Sequence, residues 1–163
     1  MTNQPPISDA RAMGIEKSQY MEMALEDAKS AALRGEVPVG AVIVSKDGKV
    51  LARAGNRVVE LSDPTAHAEM LAIKSATNSM KNERLLDCDI YVTLEPCPMC
   101  ATALSFARVR RIYYGAEDVK SGGVDNGVQI YEATSCHHRP EVYGGISEHI
   151  SADLLKDFFK GRR

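Results

Sequence analysis

The amino-acid sequence predicts an α/β layered domain. Three features carry that expectation: an Asp-Gly turn between two β-rich runs, later segments with apolar residues at helical spacing, and the alternation of those segments with short strand-like runs. In chain order, residues 1–17 contain Pro5-Pro6 and lack hydrophobic periodicity, so they read as a flexible N-terminal arm. From Ser18 the pattern turns helical: Met21, Ala24, Leu25, Ala28, Ala31 and Ala32 share one face, Ser18 suits an N-cap, and Gly35 a stop. Val39–Ser45 and Val50–Asn56 flank Lys46-Asp47-Gly48-Lys49, a hairpin signal because Gly supplies the positive φ of a tight turn.

A second helix is expected from Asp63-Pro64-Thr65 through the run HAEMLAIKSAT, and a strand over Asp89–Glu95. A third helix enters through Pro98, whose missing N–H costs nothing at the first helical position. Arg111–Ala116 reads as another strand, and residues 117–140, rich in Gly and Asp, as a long functional loop or short helix. Glu141–Tyr143 is too short to assign. Ile150, Leu154, Leu155, Phe158 and Phe159 mark an amphipathic C-terminal helix. No repeat or linker divides residues 18–163, which therefore read as a single domain whose later strands are joined by helical crossovers.

Composition narrows the function. With 44% hydrophobic and 26% charged residues over 163 positions, the chain can bury a proper core, which excludes a disordered or disulfide-built miniprotein. Twenty Lys+Arg against 22 Asp+Glu give a net charge of −2, so a polyanion would have to be captured by a local patch rather than a global field. No apolar run approaches the roughly 18 residues of a membrane span. Four cysteines with no signal peptide before them point to a reducing, cytoplasmic setting, where thiols bind metal or do chemistry.

The informative residues are His67-Ala68-Glu69 and Pro96-Cys97-Pro98-Met99-Cys100. Cys-x-x-Cys brings two thiolates within reach of one Zn²⁺, and a His from elsewhere supplies a third ligand. Both clusters fall at expected helix N-termini, where partial positive charge favours thiolate. Three protein ligands leave the fourth tetrahedral position for water, as in catalytic rather than structural zinc sites. Glu69, two residues from His67, suits a proton shuttle, which makes hydrolytic attack on an electrophilic carbon the expected chemistry. H-x-E followed by P-C-x-x-C is the signature of zinc nucleobase deaminases.

Beyond that signature, the chain from about Tyr20 onward resembles the bacterial tRNA-specific adenosine deaminases. The stretches that carry the likeness are EVPVGAV, GNR, DPTAHAE, YVTLEPCPMC, RIYYGAEDVKSGG, HHRPEVYGG and the terminal DFFKGRR. The resemblance implies a three-layer α/β/α fold on a mixed five-stranded sheet, as in the cytidine-deaminase-like superfamily. It implies a homodimer with one Zn²⁺ per subunit, acting on the wobble adenosine of a tRNA anticodon stem-loop. On that likeness His67, Cys97 and Cys100 hold the metal and Glu69 moves protons. Asn56 hydrogen-bonds the flipped nucleoside, and Asp118 and Lys120 contact the anticodon loop. Lys160, Arg162 and Arg163 meet phosphate, with Phe158 or Phe159 near a neighbouring base.

Other readings stand beside these. A deaminase of a free base or nucleoside, of guanine or cytosine type, would share the zinc residues without needing the basic tail; a non-catalytic zinc module would not need Glu69. Cys88 reads as a small buried hydrophobe. Cys136, followed by His137 and His138, is a candidate fourth ligand that the family pattern does not require. Arg108, Arg110 and Arg111 form a basic run that suits either an RNA face or a solvated strand edge.

Overall fold

A computed structural model of the chain describes residues 7–162, with side chains described from residue 19 onward. Helix α1 spans Ile7–Leu33 and leads into the hairpin β1 (Gly40–Ser45) and β2 (Val50–Gly55). Helix α2 (Ala68–Met80), strand β3 (Cys88–Leu94), helix α3 (Pro98–Phe106) and strand β4 (Arg111–Ala116) follow. A single 3₁₀ turn at Ile130–Glu132, strand β5 (Glu141–Tyr143) and helix α4 (Glu148–Lys160) complete the chain.

The five strands form one sheet in the order β2-β1-β3-β4-β5. β1 is antiparallel to β2 and β3, while β3, β4 and β5 run parallel, so the sheet is mixed as the resemblance implied. In the hairpin, Gly48 adopts φ +86° and Ser45 donates its N–H to the Lys49 carbonyl at 2.9 Å. A register shift between Ile43 and Val44 marks a β-bulge in the β1–β2 pair, which adds local twist.

Strand alternation divides the core. Ala41, Ile43, Ile90, Val92, Ile112 and Tyr114 face α2 and α3, meeting Ala68, Ala72, Ala76, Ala101 and Leu104. Val42, Val44, Tyr91 and Tyr113 face the other way, toward Met21, Ala24 and Leu25 of α1. On this second face Tyr91, Tyr113 and Tyr143 occupy paired positions of β3, β4 and β5, with ring centroids 4.6 and 5.2 Å apart. That ladder helps hold the three-residue β5 in register.

Two helix starts differ from the sequence expectation by more than one residue. Helix α1 begins at Ile7, not Ser18, so residues 7–17 of the expected arm are helical; residues 1–6 lie outside the described residues. Ala, Arg, Met, Glu and Lys in that stretch are good helix formers, and extending a formed helix costs far less than nucleating one. Its other end behaves as read: Glu36 N–H reaches Ala31 O at 2.9 Å and Gly35, at φ +84°, closes a Schellman turn. Helix α2 begins at Ala68 rather than near Asp63. The Asp63 carboxylate caps only a local turn, accepting from the Thr65 N–H at 2.8 Å and hydroxyl at 2.7 Å.

The hairpin packs against α1 closely enough to need glycine. A Cβ on Gly40 would stand 1.9 Å from the Ala24 carbonyl oxygen and 2.8 Å from the Ala28 nitrogen, both backbone atoms. Gly40→Ala is therefore expected to destabilise the fold by about 2 kcal/mol or more in urea unfolding. Gly161→Ala, whose new methyl meets nothing nearer than 3.8 Å, should shift it by less than about 0.5 kcal/mol.

Candidate active site

The first turns of α2 and α3 meet above the carboxyl end of β3, where open α/β sheets place their ligand sites. His67 is the N-cap of α2 and Cys97 the N-cap of α3, both in extended backbone conformation, and the His67 side chain does not hydrogen-bond its own helix. The usual N-cap residues turn their side chains back onto the first-turn N–H groups. These two turn theirs toward each other. Pro98 fills the first position of α3, and Cys100 follows in the same turn.

His67 Nδ1 lies 3.6 Å from Cys97 Sγ and 3.5 Å from Cys100 Sγ. A tetrahedral zinc with Zn–N of about 2.0–2.1 Å and Zn–S of about 2.3 Å has N···S edges of about 3.6 Å. The two N···S separations thus already match edges of a zinc tetrahedron, and among the described residues these three form the one His/Cys/Asp/Glu group whose donor atoms all lie within 4.8 Å of one another. Two sulfurs and one imidazole are also the donor set zinc prefers.

The two cysteines are shifted in opposite directions. The Cys100 thiol and the His67 ring, both hydrogen-bonded to Cys97, pull the Cys97 thiol down to about 4. Cys100, facing that thiolate and buried, is pushed up. His67 is raised by the same Cys97 contact. Glu69, in the first turn of α2 and 4% exposed, is lifted to about 7 by burial. A carboxyl tuned there can accept and return a proton at neutral pH.

These groups open into a cavity of about 330 Å³ that includes His67, Glu69, Cys97 and Asn56 in its wall. Asn56 Oδ1 accepts the Ala68 N–H at 2.7 Å and so caps α2 in place of His67. That bond fixes the amide orientation and leaves the Asn56 NH₂ as the group that can meet a ligand. A wider groove of about 710 Å³ adjoins the cavity, sharing Val37, Leu94, Asp118 and Ser121 with it. Lys120, Phe159 and Lys160 line that groove.

Arg162 sits 4.0 Å over the Phe158 ring, and Phe158 packs edge-on to Phe159, so Phe159 is the ring facing the groove. Arg163 lies outside the described residues. Cys136 stays away from the metal group: it lies toward the other end of α3, 3.5 Å from Ser105 Oγ and bonded to the His138 carbonyl at 3.2 Å. Cys88 is buried as expected. Arg110 and Arg111 are at the opposite end of the strands, paired with Asp89 and Glu141 at 2.8 and 2.9 Å, which identifies them as strand-edge ion pairs. Sequence reasoning missed two buried carboxylates in the cavity wall, Glu36 and Glu95, each 1% exposed. Their only signal was position, within EVPVGAV and TLEPC.

Residues 15–116 match the cytidine and deoxycytidylate deaminase zinc-binding region family. The tRNA-specific adenosine deaminase of Agrobacterium fabrum is 53% identical over 91% of this chain and 97% of its own. A solved structure from studies of A-to-I editing by tRNA:A34 deaminases at the wobble position of transfer RNA is 55% identical. It superposes with a TM-score of 0.82, over 84% of this chain and 99% of that one. A guanine deaminase from Bacillus subtilis is 31% identical, with a TM-score of 0.59 over 89% of this chain and 96% of that one.

Two measurements follow from the geometry. Cys97→Ala or Cys100→Ala should abolish stoichiometric zinc in metal analysis, whereas Cys136→Ala leaves zinc content unchanged. In protein stripped of metal, Glu69 is more basic folded than unfolded, so its contribution to stability is present near pH 4 and declines as pH rises toward about 7. Glu69→Gln should therefore gain thermal stability relative to the parent at pH 8 and little at pH 4.

Proposed function

Because the chain belongs to the tRNA-specific adenosine deaminases, within the cytidine and deoxycytidylate deaminase zinc-binding family, we propose that it converts the wobble adenosine of a tRNA anticodon to inosine. The observation that carries this reading is the junction of two spaces: a cavity of base size at the His67/Cys97/Cys100 cluster, open to a groove with Lys120 and Lys160 on its wall. A free base needs only the first space. A base flipped out of an RNA loop brings its strand with it and needs the second.

His67, Cys97 and Cys100 hold the zinc, which supplies Lewis acidity and brings the ionisation of water into the neutral range. Glu69 takes the proton as water adds to C6 of adenine. It then delivers a proton to the amino nitrogen as the C6–N bond breaks, so that adenosine and water become inosine and ammonia. The Asn56 NH₂ holds the nucleoside, while Val39 and Leu94 supply apolar wall. Burial of the reacting base excludes competing water and strengthens each electrostatic contact.

Outside the cavity, Asp118 and Lys120 meet the anticodon loop, Phe159 offers a face for a neighbouring base, and Lys160, Arg162 and Arg163 meet phosphate. With a net charge of −2, capture rests on these few contacts and weakens as salt rises. No helix among the described residues is long and apolar enough to cross a membrane. We place the enzyme in the cytoplasm, with its tRNA, and as a homodimer; Phe106 and Val128, 76% and 65% exposed, support a further surface to be covered.

Incubation with a transcribed tRNA carrying a wobble adenosine should yield inosine, and free adenosine, cytidine and guanine little ammonia. Ammonia from a free base without inosine in tRNA would instead establish a free-base deaminase. Glu69→Gln is expected to keep its zinc and lose turnover by more than about a thousandfold. Removing residues 160–163 should depress turnover of tRNA by about tenfold or more through KM.

A further inference from the structure

Glu95 is the residue after β3 and the second before Cys97, and its carboxylate is 1% exposed. A buried carboxylate normally requires a cation or a dense set of donors. Here every hydrogen-bond partner is a donor from one segment. Oε1 accepts the Asp118 N–H at 3.2 Å and the Asn126 side-chain NH₂ at 2.7 Å. Oε2 accepts the N–H groups of Val124 at 3.2 Å, Asp125 at 3.1 Å and Asn126 at 3.1 Å. Five donors from residues 118–126 converge on one anion, which saturates its lone pairs.

The segment is wound tightly on that point. A Cβ on Gly122 would lie 2.3 Å from Glu95 Oε2, and one on Gly123 would lie 2.5 Å from the Pro98 nitrogen. Gly123 donates its N–H to the Pro96 carbonyl at 2.8 Å, beside the metal-ligating turn. From this anchored segment Asp118 and Ser121 enter the walls of both the reaction cavity and the groove. Asp118 itself accepts the Ser121 N–H at 2.9 Å, so its side chain is aimed by the same winding.

We propose that Glu95 is a positioning residue: its carboxylate orders residues 118–126 and thereby presents Asp118 to the substrate strand at the mouth of the cavity. The proposal rests on the reading of the groove as the RNA path. The choice of Glu follows from chemistry. Glutamine has the same shape, but its NH₂ would face N–H donors whichever way the amide is flipped. Glu95→Gln thus removes the anchor without removing volume.

The test uses the zinc-loaded protein and an anticodon stem-loop with a wobble adenosine. In hydrogen exchange, Glu95→Gln should speed exchange of the 118 and 124–126 amides by about tenfold or more, with zinc content and the amides of α2 and α3 unchanged. In kinetics, Glu95→Gln and Asp118→Ala should each lower kcat/KM by about tenfold, mainly through KM. The double variant should fall little below either single one, because both remove the same contact. Asn126→Ala, which keeps the carboxylate and removes one donor, should give a weaker form of the same coupling and serves where Glu95→Gln does not hold zinc. Unchanged amide exchange, or a roughly hundredfold multiplicative loss in the double variant, overturns the proposal. If the parent enzyme makes no inosine, the substrate reading falls, and the same cycle read from stem-loop affinity decides whether Glu95 acts through Asp118.

Discussion

The contact between the first turns of α2 and α3 is the constraint on which this molecule depends. His67 and Cys97 occupy the positions where helices usually place a capping hydroxyl or carboxylate, and both face a common point. Capping of α2 comes from outside, by Asn56 on the Ala68 N–H. Parallel pairing of β3 and β4 requires a crossover, and α3 is that crossover, so its N-terminus is delivered to the strand end that carries Cys97. The helix N-terminus, the Cys100 thiol and the His67 ring then favour the deprotonated sulfur at Cys97.

Chemistry and recognition are built from different parts. Ligands and proton shuttle sit on helix ends fixed by the sheet, whereas the groove is made from the 118–126 segment and the exposed side of α4. Cationic side chains at the far end of the strands are neutralised in place, Arg110 by Asp89 and Arg111 by Glu141. The nearly balanced charge of the chain therefore conceals a difference between its ends. The end with the metal group keeps lysines beside its groove, and the other spends its arginines on internal ion pairs.

Local chemistry was readable in the sequence, and long-range chemistry was not. Asp47-Gly48 specifies its turn through backbone conformation alone, and the spacing of His67, Cys97 and Cys100 reports what one metal ion can bind. Cys97 after β3, with Pro98 opening α3, could be placed for the same reason. The start of α1 is not legible because Pro5-Pro6 and the missing apolar stripe hide residues that are helical through propensity. The start of α2 is not legible because Asp63 makes a local turn that resembles a cap. Glu36 and Glu95 were not recognisable as buried, since carboxylates ordinarily seek water. Their partners are backbone N–H groups 23 to 31 residues away, Val59 for Glu36 and the 118–126 segment for Glu95. No window of sequence contains that pairing.

The use of metal ligands as helix caps reaches past catalysis. A chain that has not acquired its ion has only the His67–Cys97 and His67–Cys100 contacts where the metal would bind the first turns of α2 and α3 together. Scarcity of zinc would then register as a smaller supply of folded protein open to proteolysis, more than as a reservoir of intact but idle enzyme.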